Sequence, residues 1–450
     1  MKENKNFWID KLADVFEFIF LMGKELFDGV THDRIDLQKY IMPGTMFAFL
    51  LVVRLDLLVG NVFDIDWIKL SLLSRELLVY TSLGYGWIHW SFERARERTK
   101  FLSMLTEAFS YCGLVANKKL PAFIEDKVVD DYVRHLKLNT NGIPLSEFES
   151  KKNGLESQLN VSIVRIYQEP NDKKRINIVY ATRDLPHMLT LDMPDRFADG
   201  LIPIGQSHEG EITVNLRDIG HLMVAGQTGG GKSNYEKVVT SVLCENNRDS
   251  EIYFLDFKGG METADLKNRL GSDYRNFSFK ESPVECIREL KRIGESLETR
   301  FQQIALTNSS TFDEYLKKQQ SIHADSNEAQ KPLKRIFLIV DEIAQLYSSQ
   351  PGVNTADVKA AREAVNRIAR QGRAAAVHMI LATQKPDASS FDQTVKANLP
   401  GVLCFSMATQ PASVSALGTK RAFDLNPEIK GRAVWKYGPV MKEVQTYLFQ

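Results

Sequence analysis

Two short stretches hold residues whose types and spacing can do chemistry. The first, HLMVAGQTGGGKSNYEKVV (His221–Val239), sets Gly226, Gln227, Thr228, Gly229, Gly230, Gly231, Lys232 and Ser233 in the spacing G-x-x-x-x-G-K-[ST]. Glycines at these places let backbone N–H groups turn inward onto phosphates, and a following helix adds the positive end of its dipole. Lys232 is then placed to neutralise the β- and γ-phosphates of ATP, and Ser233 to offer its hydroxyl to Mg²⁺. The second stretch, RIFLIVDEIAQL, delivers Asp341 and Glu342 at the end of an apolar run. Asp341 suits Mg²⁺ held through its water shell, and Glu342 suits orientation and deprotonation of an attacking water. An Asp-Glu pair alone reads equally well as the cap of a helix. The phosphate loop upstream tips the reading to ATP hydrolysis.

The elements that must position these groups are legible nearby. HLMVA is a short apolar strand and SNYEKVVTSVL a helical stretch, the strand–loop–helix setting that a phosphate loop requires. Ile336–Val340 is continuously apolar, as expected of a central parallel strand covered on both faces. Open α/β sheets bind ligands at the carboxyl edge of such strands. Two more strands end in polar residues: EIYFLDFKGG presents Asp256 and Lys258, and VHMILATQKPD presents Thr383 and Gln384. Gln384 is expected to sense the γ-phosphate by hydrogen bonding. His378, at the start of its strand, is expected to be structural.

The 450 residues carry 57 Lys and Arg against 57 Asp and Glu, a formal net charge of zero. That argues against a wholly basic surface but not against a local channel for nucleic acid. Cys112, Cys244, Cys286 and Cys404 are scattered without metal-type spacing and read as reduced, buried thiols. The opening MKENKNFWIDKLADVF is charged throughout, unlike a cleavable signal peptide. Residues 1–100 read as a helical region with hydrophobic segments at about 40–60 and 72–92. Crossing a bilayer takes about 20 largely apolar residues. Arg54 and Asp56 interrupt the first segment, while Trp67, Trp87 and Trp90 sit near segment ends and ERARERTK follows the second. Interfacial aromatics and a basic cytoplasmic flank of this kind predict a transmembrane hairpin. Residues 101–200 read as a small α/β adaptor domain, with a β-hairpin made by VSIVRIYQ and INIVYATR on either side of PNDKK. Residues 201–450 hold the motor.

Four stretches together, PIGQSHEGEITVNLRDIGHLMVAGQTGGGKS, LDFKGG, IFLIVDEIAQL and VNRIARQGRAAAVHMILATQKPD, resemble the core of FtsK/SpoIIIE-type DNA translocases. They are most similar to the shorter coupling proteins of conjugative plasmids and transposons, of the TcpA and ConQ kind. The resemblance covers about Leu201 to Lys396 and weakens toward Gln450. It implies an α/β, RecA-like P-loop motor with a mainly parallel central sheet. In the wider coupling-protein family an arginine finger lies eleven residues before the sensor glutamine, which here is Arg373. Such a finger implies ATP bound between subunits of a homo-oligomer, usually a hexameric ring.

The departures matter as well. Ser413-Val414-Ser415 stands where the translocases carry Ser-Arg-Thr, IKGRAVWKYG replaces a GDML-type segment, and Gly220 replaces a proline. The sequence to Gln450 leaves no room for the winged-helix domain that reads orienting sequences. The expected function is an ATP-driven DNA pump tethered to the inner face of the cell membrane, with its motor in the cytoplasm. It would serve a conjugative or mobile element, with relaxase and secretion-channel proteins as possible partners. DNA would be gripped through its phosphates without regard to sequence, by Lys258–Arg269 or Thr383–Lys396. The alternatives are a protein-export ATPase of the same superfamily, and a non-hydrolysing membrane scaffold that recruits a relaxase–DNA complex.

Overall fold

A computed structural model of the chain describes residues 93–449 apart from 95, 131, 192–195, 260–262, 326–331, 349–351 and 388–391. The two hydrophobic segments at about 40–60 and 72–92 lie outside the described residues. Among the described residues no helix is long and apolar enough to cross a membrane. The chain divides into two compact units. The smaller takes the described residues up to Lys127 together with His135–Ile178, and the larger takes Val128–Arg134 and Val179–Gln450.

The smaller unit has a helix over 96–111 and contributes to a four-stranded sheet. Its strands are β1 (Ala122–Asp130), β2 (Val133–Asn139), β3 (Ser162–Glu169) and β4 (Asp172–Ala181), in the order β1-β2-β4-β3. The neighbouring β3 and β4 form the hairpin expected on either side of PNDKK. Helices Leu145–Ser150 and Lys152–Leu159 bury Phe148 and Leu155 completely.

The larger unit is organised by a ten-stranded sheet. In chain order its strands are β5 (Leu201–Ser207), β6 (Gly210–Asn215), β7 (His221–Ala225), β8 (Glu251–Asp256) and β9 (Phe277–Lys280). They continue as β10 (Ile336–Asp341), β11 (Val377–Thr383), β12 (Gly401–Phe405), β13 (Arg432–Tyr437) and β14 (Val440–Gln445). The spatial order is β6-β5-β14-β13-β12-β7-β11-β10-β8-β9. From β12 to β9 every neighbour is parallel. Beyond β12 the sheet continues through four antiparallel pairings, an extension that the apolar runs of the sequence do not announce.

The apolar runs follow from where the strands lie. Residues Met223, Leu338, Val340, Met379 and Leu381 face one core, with helices Pro283–Leu306 and Thr355–Gln371 packed on it. Their alternate neighbours Leu222, Val224, Phe337, Ile339 and Ile380 face a second core, which takes Tyr235, Val239 and Leu243 of helix Lys232–Asn246. Both faces are covered, so a strand there is apolar along nearly its whole length. The two helices of the first core touch at Gly294, where a Cβ would come within 2.4 Å of the Ala364 Cβ. This layering fixes the carboxyl ends of β7, β10 and β11 side by side, and those ends carry the site.

Candidate functional site

The phosphate loop leaves β7 at Ala225 and enters the helix Lys232–Asn246, with Gly231 as its N-cap at φ +118°. Glycine is required here twice over. A Cβ on Gly226 would lie 2.7 Å from the Phe405 Cβ, and one on Gly231 would lie 2.9 Å from the Gly431 Cα. The loop is pinned by its own backbone as well. The Gly226 N–H donates to the Thr383 carbonyl (3.3 Å), and the Gln227 N–H to that of Ser406 (3.0 Å). The first-turn N–H groups of the helix have no intrahelical acceptor and offer their donors to an anion.

One turn into that helix sits an acid the sequence reading passed over. The Lys232 ammonium donates to Asp341 Oδ1 at 2.5 Å and to Glu236 Oε1 at 3.1 Å, all three side chains being buried. Burial alone would lower the Lys232 pKa. The charges of Glu236 and Asp341 outweigh it and hold the ammonium protonated. Glu236 is pushed up to about 8, chiefly by burial and then by the Asp341 charge, with Lys232 pulling the other way. Glu236 Oε2 and Asp341 Oδ2 have no hydrogen-bond partner.

Glu342 follows Asp341 with φ +53°, a left-handed backbone rare outside glycine. Its buried carboxylate accepts from the Thr383 hydroxyl (3.0 Å) and the Gln384 N–H (3.1 Å) at Oε1. The Gln384 side chain in turn accepts from the Thr228 hydroxyl at 3.1 Å, which ties the end of β11 to the phosphate loop. Lys258 brings its ammonium to 3.7 Å from Asp341 Oδ2 and 3.8 Å from Glu342 Oε2. Asp256 is engaged locally, accepting from the Lys258 N–H and the Thr263 hydroxyl. The predicted residues Lys232, Ser233, Asp341, Glu342 and Gln384 are thus brought to one edge of the sheet.

Arg373 is at the other edge. Its aliphatic stem packs on Gly220, with Cδ 3.4 Å from where a Gly220 Cβ would stand, and its Nε donates to the Arg217 carbonyl at 3.3 Å. Gly220 immediately precedes β7, whose five residues then run to the phosphate loop. At about 3.3 Å per residue the strand is roughly 16 Å long, so Arg373 and the phosphate loop lie at its opposite ends. His221 and His378 near that edge are buried. Burial holds the first down to about 4 and, with the Arg335 charge, the second to about 3, so both stay neutral. His378 bonds Arg335 and the Gly220 carbonyl, which is a structural role.

Beside the loop opens a cleft of about 480 Å³, lined by Lys232, Ser233 and Gln384. His187–Leu189, Lys430–Gly431 and the tail Gln445–Leu448 line it as well. Asn234 holds that tail by donating to the Tyr447 carbonyl and accepting from the Phe449 N–H. Nothing local in the sequence marks the tail as part of the site. For Glu236 a signal did exist: it stands four residues after Lys232, on the same face of one helix. Each candidate channel segment, Lys258–Arg269 and Thr383–Lys396, includes residues outside the described ones.

An ATP-sized ligand with its Mg²⁺ fits these residues: a glycine cradle that a Cβ would fill, a lysine, the Ser233 hydroxyl lining the cleft, and a buried Asp341 oxygen without a hydrogen-bond partner. A model of the FtsK/SpoIIIE family matches residues 194–388. DNA translocase FtsK of Lactococcus lactis subsp. cremoris is 27% identical over 352 residues, 76% of this chain and 44% of that protein. DNA translocase FtsK of Staphylococcus epidermidis is 29% identical over 254 residues, 55% of this chain and 29% of that protein. The solved structure of the pCW3 conjugation coupling protein TcpA, a monomer form with ATPγS, superposes with a TM-score of 0.54 at 25% identity. It covers 77% of this chain and 95% of that one. The chain spans less than half the length of the FtsK proteins it matches.

Proposed function

We propose that this chain, which carries an FtsK/SpoIIIE-family domain, is an ATP-driven DNA translocase working as a ring of identical subunits. The observation that carries the reading is the convergence of Lys232, Asp341, Glu342 and Gln384 on one sheet edge, with Arg373 on the other. A hydrolytic site is assembled in each chain, while the arginine that completes it must come from a neighbour.

The phosphates of ATP would rest on the backbone of Gly226–Ser233, with Lys232 turned toward them. Ser233 and Asp341 would hold Mg²⁺, which when bound neutralises charge on the phosphate oxygens. Glu342 would take the proton of the attacking water, and Arg373 of the neighbouring subunit would stabilise the transferring phosphoryl group. Loss of the γ-phosphate would be felt at Gln384, which already bonds Thr228 of the loop. DNA would be held through its phosphates, so that affinity falls steeply with salt and little with sequence. Likeness to a conjugation coupling protein and the two N-terminal hydrophobic segments support a place at the cell membrane, serving a conjugative or mobile element.

The test is ATP hydrolysis by the full chain with no nucleic acid, single-stranded DNA, double-stranded DNA and unfolded peptide. Stimulation by DNA, lost in Lys232→Ala, is the expected result. Hydrolysis that responds to peptide but not to either DNA would replace the reading with protein export.

A further inference from the structure

We propose that Lys430 is a second cation for the phosphates of the bound nucleotide, supplied by the same chain as Lys232. The inference rests on reading the cleft as a nucleoside triphosphate site and deepens that reading.

Its first support is position. The Gly431 N–H donates to the Gly230 carbonyl at 3.0 Å, and a Cβ on Gly231 would come within 2.9 Å of the Gly431 Cα. The segment Lys430–Gly431 is therefore pressed against the phosphate loop, and Lys430 lines the cleft.

The second is a fixed backbone under an exposed side chain. Gln445 Nε2 donates to the Lys430 carbonyl at 2.8 Å, and Thr446 donates to the Gly431 carbonyl through its N–H (2.9 Å) and its hydroxyl (3.0 Å). Buried Arg432, next along, bonds Gln445, Glu443 and the Leu185 carbonyl. So many ties hold residues 430–432 still, yet the Lys430 side chain is exposed. Among the described residues no carboxylate stands within ion-pair distance of it.

The third is charge. Of the Asp, Glu, Lys and Arg side chains, only Lys232 and Lys430 line the cleft among the described residues. Lys232 is already shared between Asp341 and Glu236, so its charge is balanced before any ligand arrives. A polyphosphate entering the cleft meets Lys430 as the uncommitted positive charge, on a flexible stem rising from an anchored backbone. Arg373 cannot take this part in its own chain, because it stands at the far edge of the sheet.

The experiment measures ATPγS binding with Mg²⁺ to the full chain as wild type, K430M and K430R, with melting of the nucleotide-free proteins as the control for folding. A lost charge-assisted contact weakens binding roughly tenfold in K430M, while K430R stays within about threefold. Adenosine, which has no phosphate, competes equally well against wild type and K430M. K430Q replaces K430M if the latter loses its cooperative melt. Unchanged ATPγS affinity in a folded K430M overturns the inference, as does an equal loss of adenosine affinity or a loss confined to DNA binding. A wild-type chain that binds no ATPγS sinks the nucleotide reading of the cleft instead.

Discussion

The Thr383 hydroxyl lies 3.0 Å from Glu342 Oε1, so the acid at the end of β10 is held by the residue that ends β11. The next N–H, that of Gln384, approaches the same oxygen at 3.1 Å. Glu342 is thus aimed by its neighbouring strand, in a backbone conformation that only such ties sustain. Thr383→Val keeps the shape and removes the hydroxyl. We expect kcat to fall about tenfold with KM for ATP nearly unchanged, the signature of a mis-aimed base. Steady-state hydrolysis over a range of ATP concentrations reads both.

Glu342→Gln should separate binding from chemistry. The amide keeps the size of the side chain but cannot accept the water's proton, so turnover drops by about 10²-fold or more. ATPγS affinity stays within about threefold of wild type. Equal loss of both would mean that Glu342 holds the fold rather than the reaction.

Glu236 makes a prediction about pH. Its folded pKa is raised to about 8, from 4.5 when exposed. The folded state therefore holds a proton that the unfolded state has already released between those values. Stability falls as pH rises through that window and levels off above it. Glu236→Gln has no such proton to lose. Its melting temperature should match wild type near pH 4.5 and exceed it by about 5 °C at pH 8.5. A difference that does not change with pH would show that the Lys232–Asp341 pair, not Glu236, sets the balance.

Arg373→Ala should leave nucleotide affinity intact, because the side chain is nowhere near its own loop, and should cut hydrolysis by about 10³-fold. Mixing it with Lys232→Ala is the sharper measurement. If the arginine works in a neighbour, mixed assemblies pair an intact loop from one chain with an intact arginine from the other. Activity then returns in part. Two dead proteins that stay dead on mixing would argue for an action within one chain.

The full-length chain should remain with membranes after carbonate extraction if the segments at about 40–60 and 72–92 span the bilayer. Its release into the soluble fraction would remove the membrane from the proposal.

The centre of this fold was open to reading because both its faces are covered. Ile336–Val340 and Leu222–Ala225 can be nothing but apolar, and the polar residues just past them must then be exceptions with a purpose. The antiparallel edge was closed to such reading. RAVWKY and VMKEVQ are mixed because β13 and β14 lie toward the flank of the sheet. The bond from Arg432 to the Leu185 carbonyl joins residues far apart in the chain. Glu236 was missed for another reason. A charge beside Lys237 on a helix reads as solvated, and only the packing on β10 shows that its carboxylate is enclosed.

The contact between Gly220 and Arg373 bears on timing. Gly220 feeds β7, and β7 ends in the phosphate loop, so a single fully buried strand separates the loop from Arg373. A strand bonded on both sides has no hinge along it. In a ring, any shift of the loop as it grips or releases phosphate would therefore reach the adjoining site as a rigid displacement. If Arg373 serves a neighbour as proposed, the stiffness of β7 would tie the state of one site to the arginine of the next.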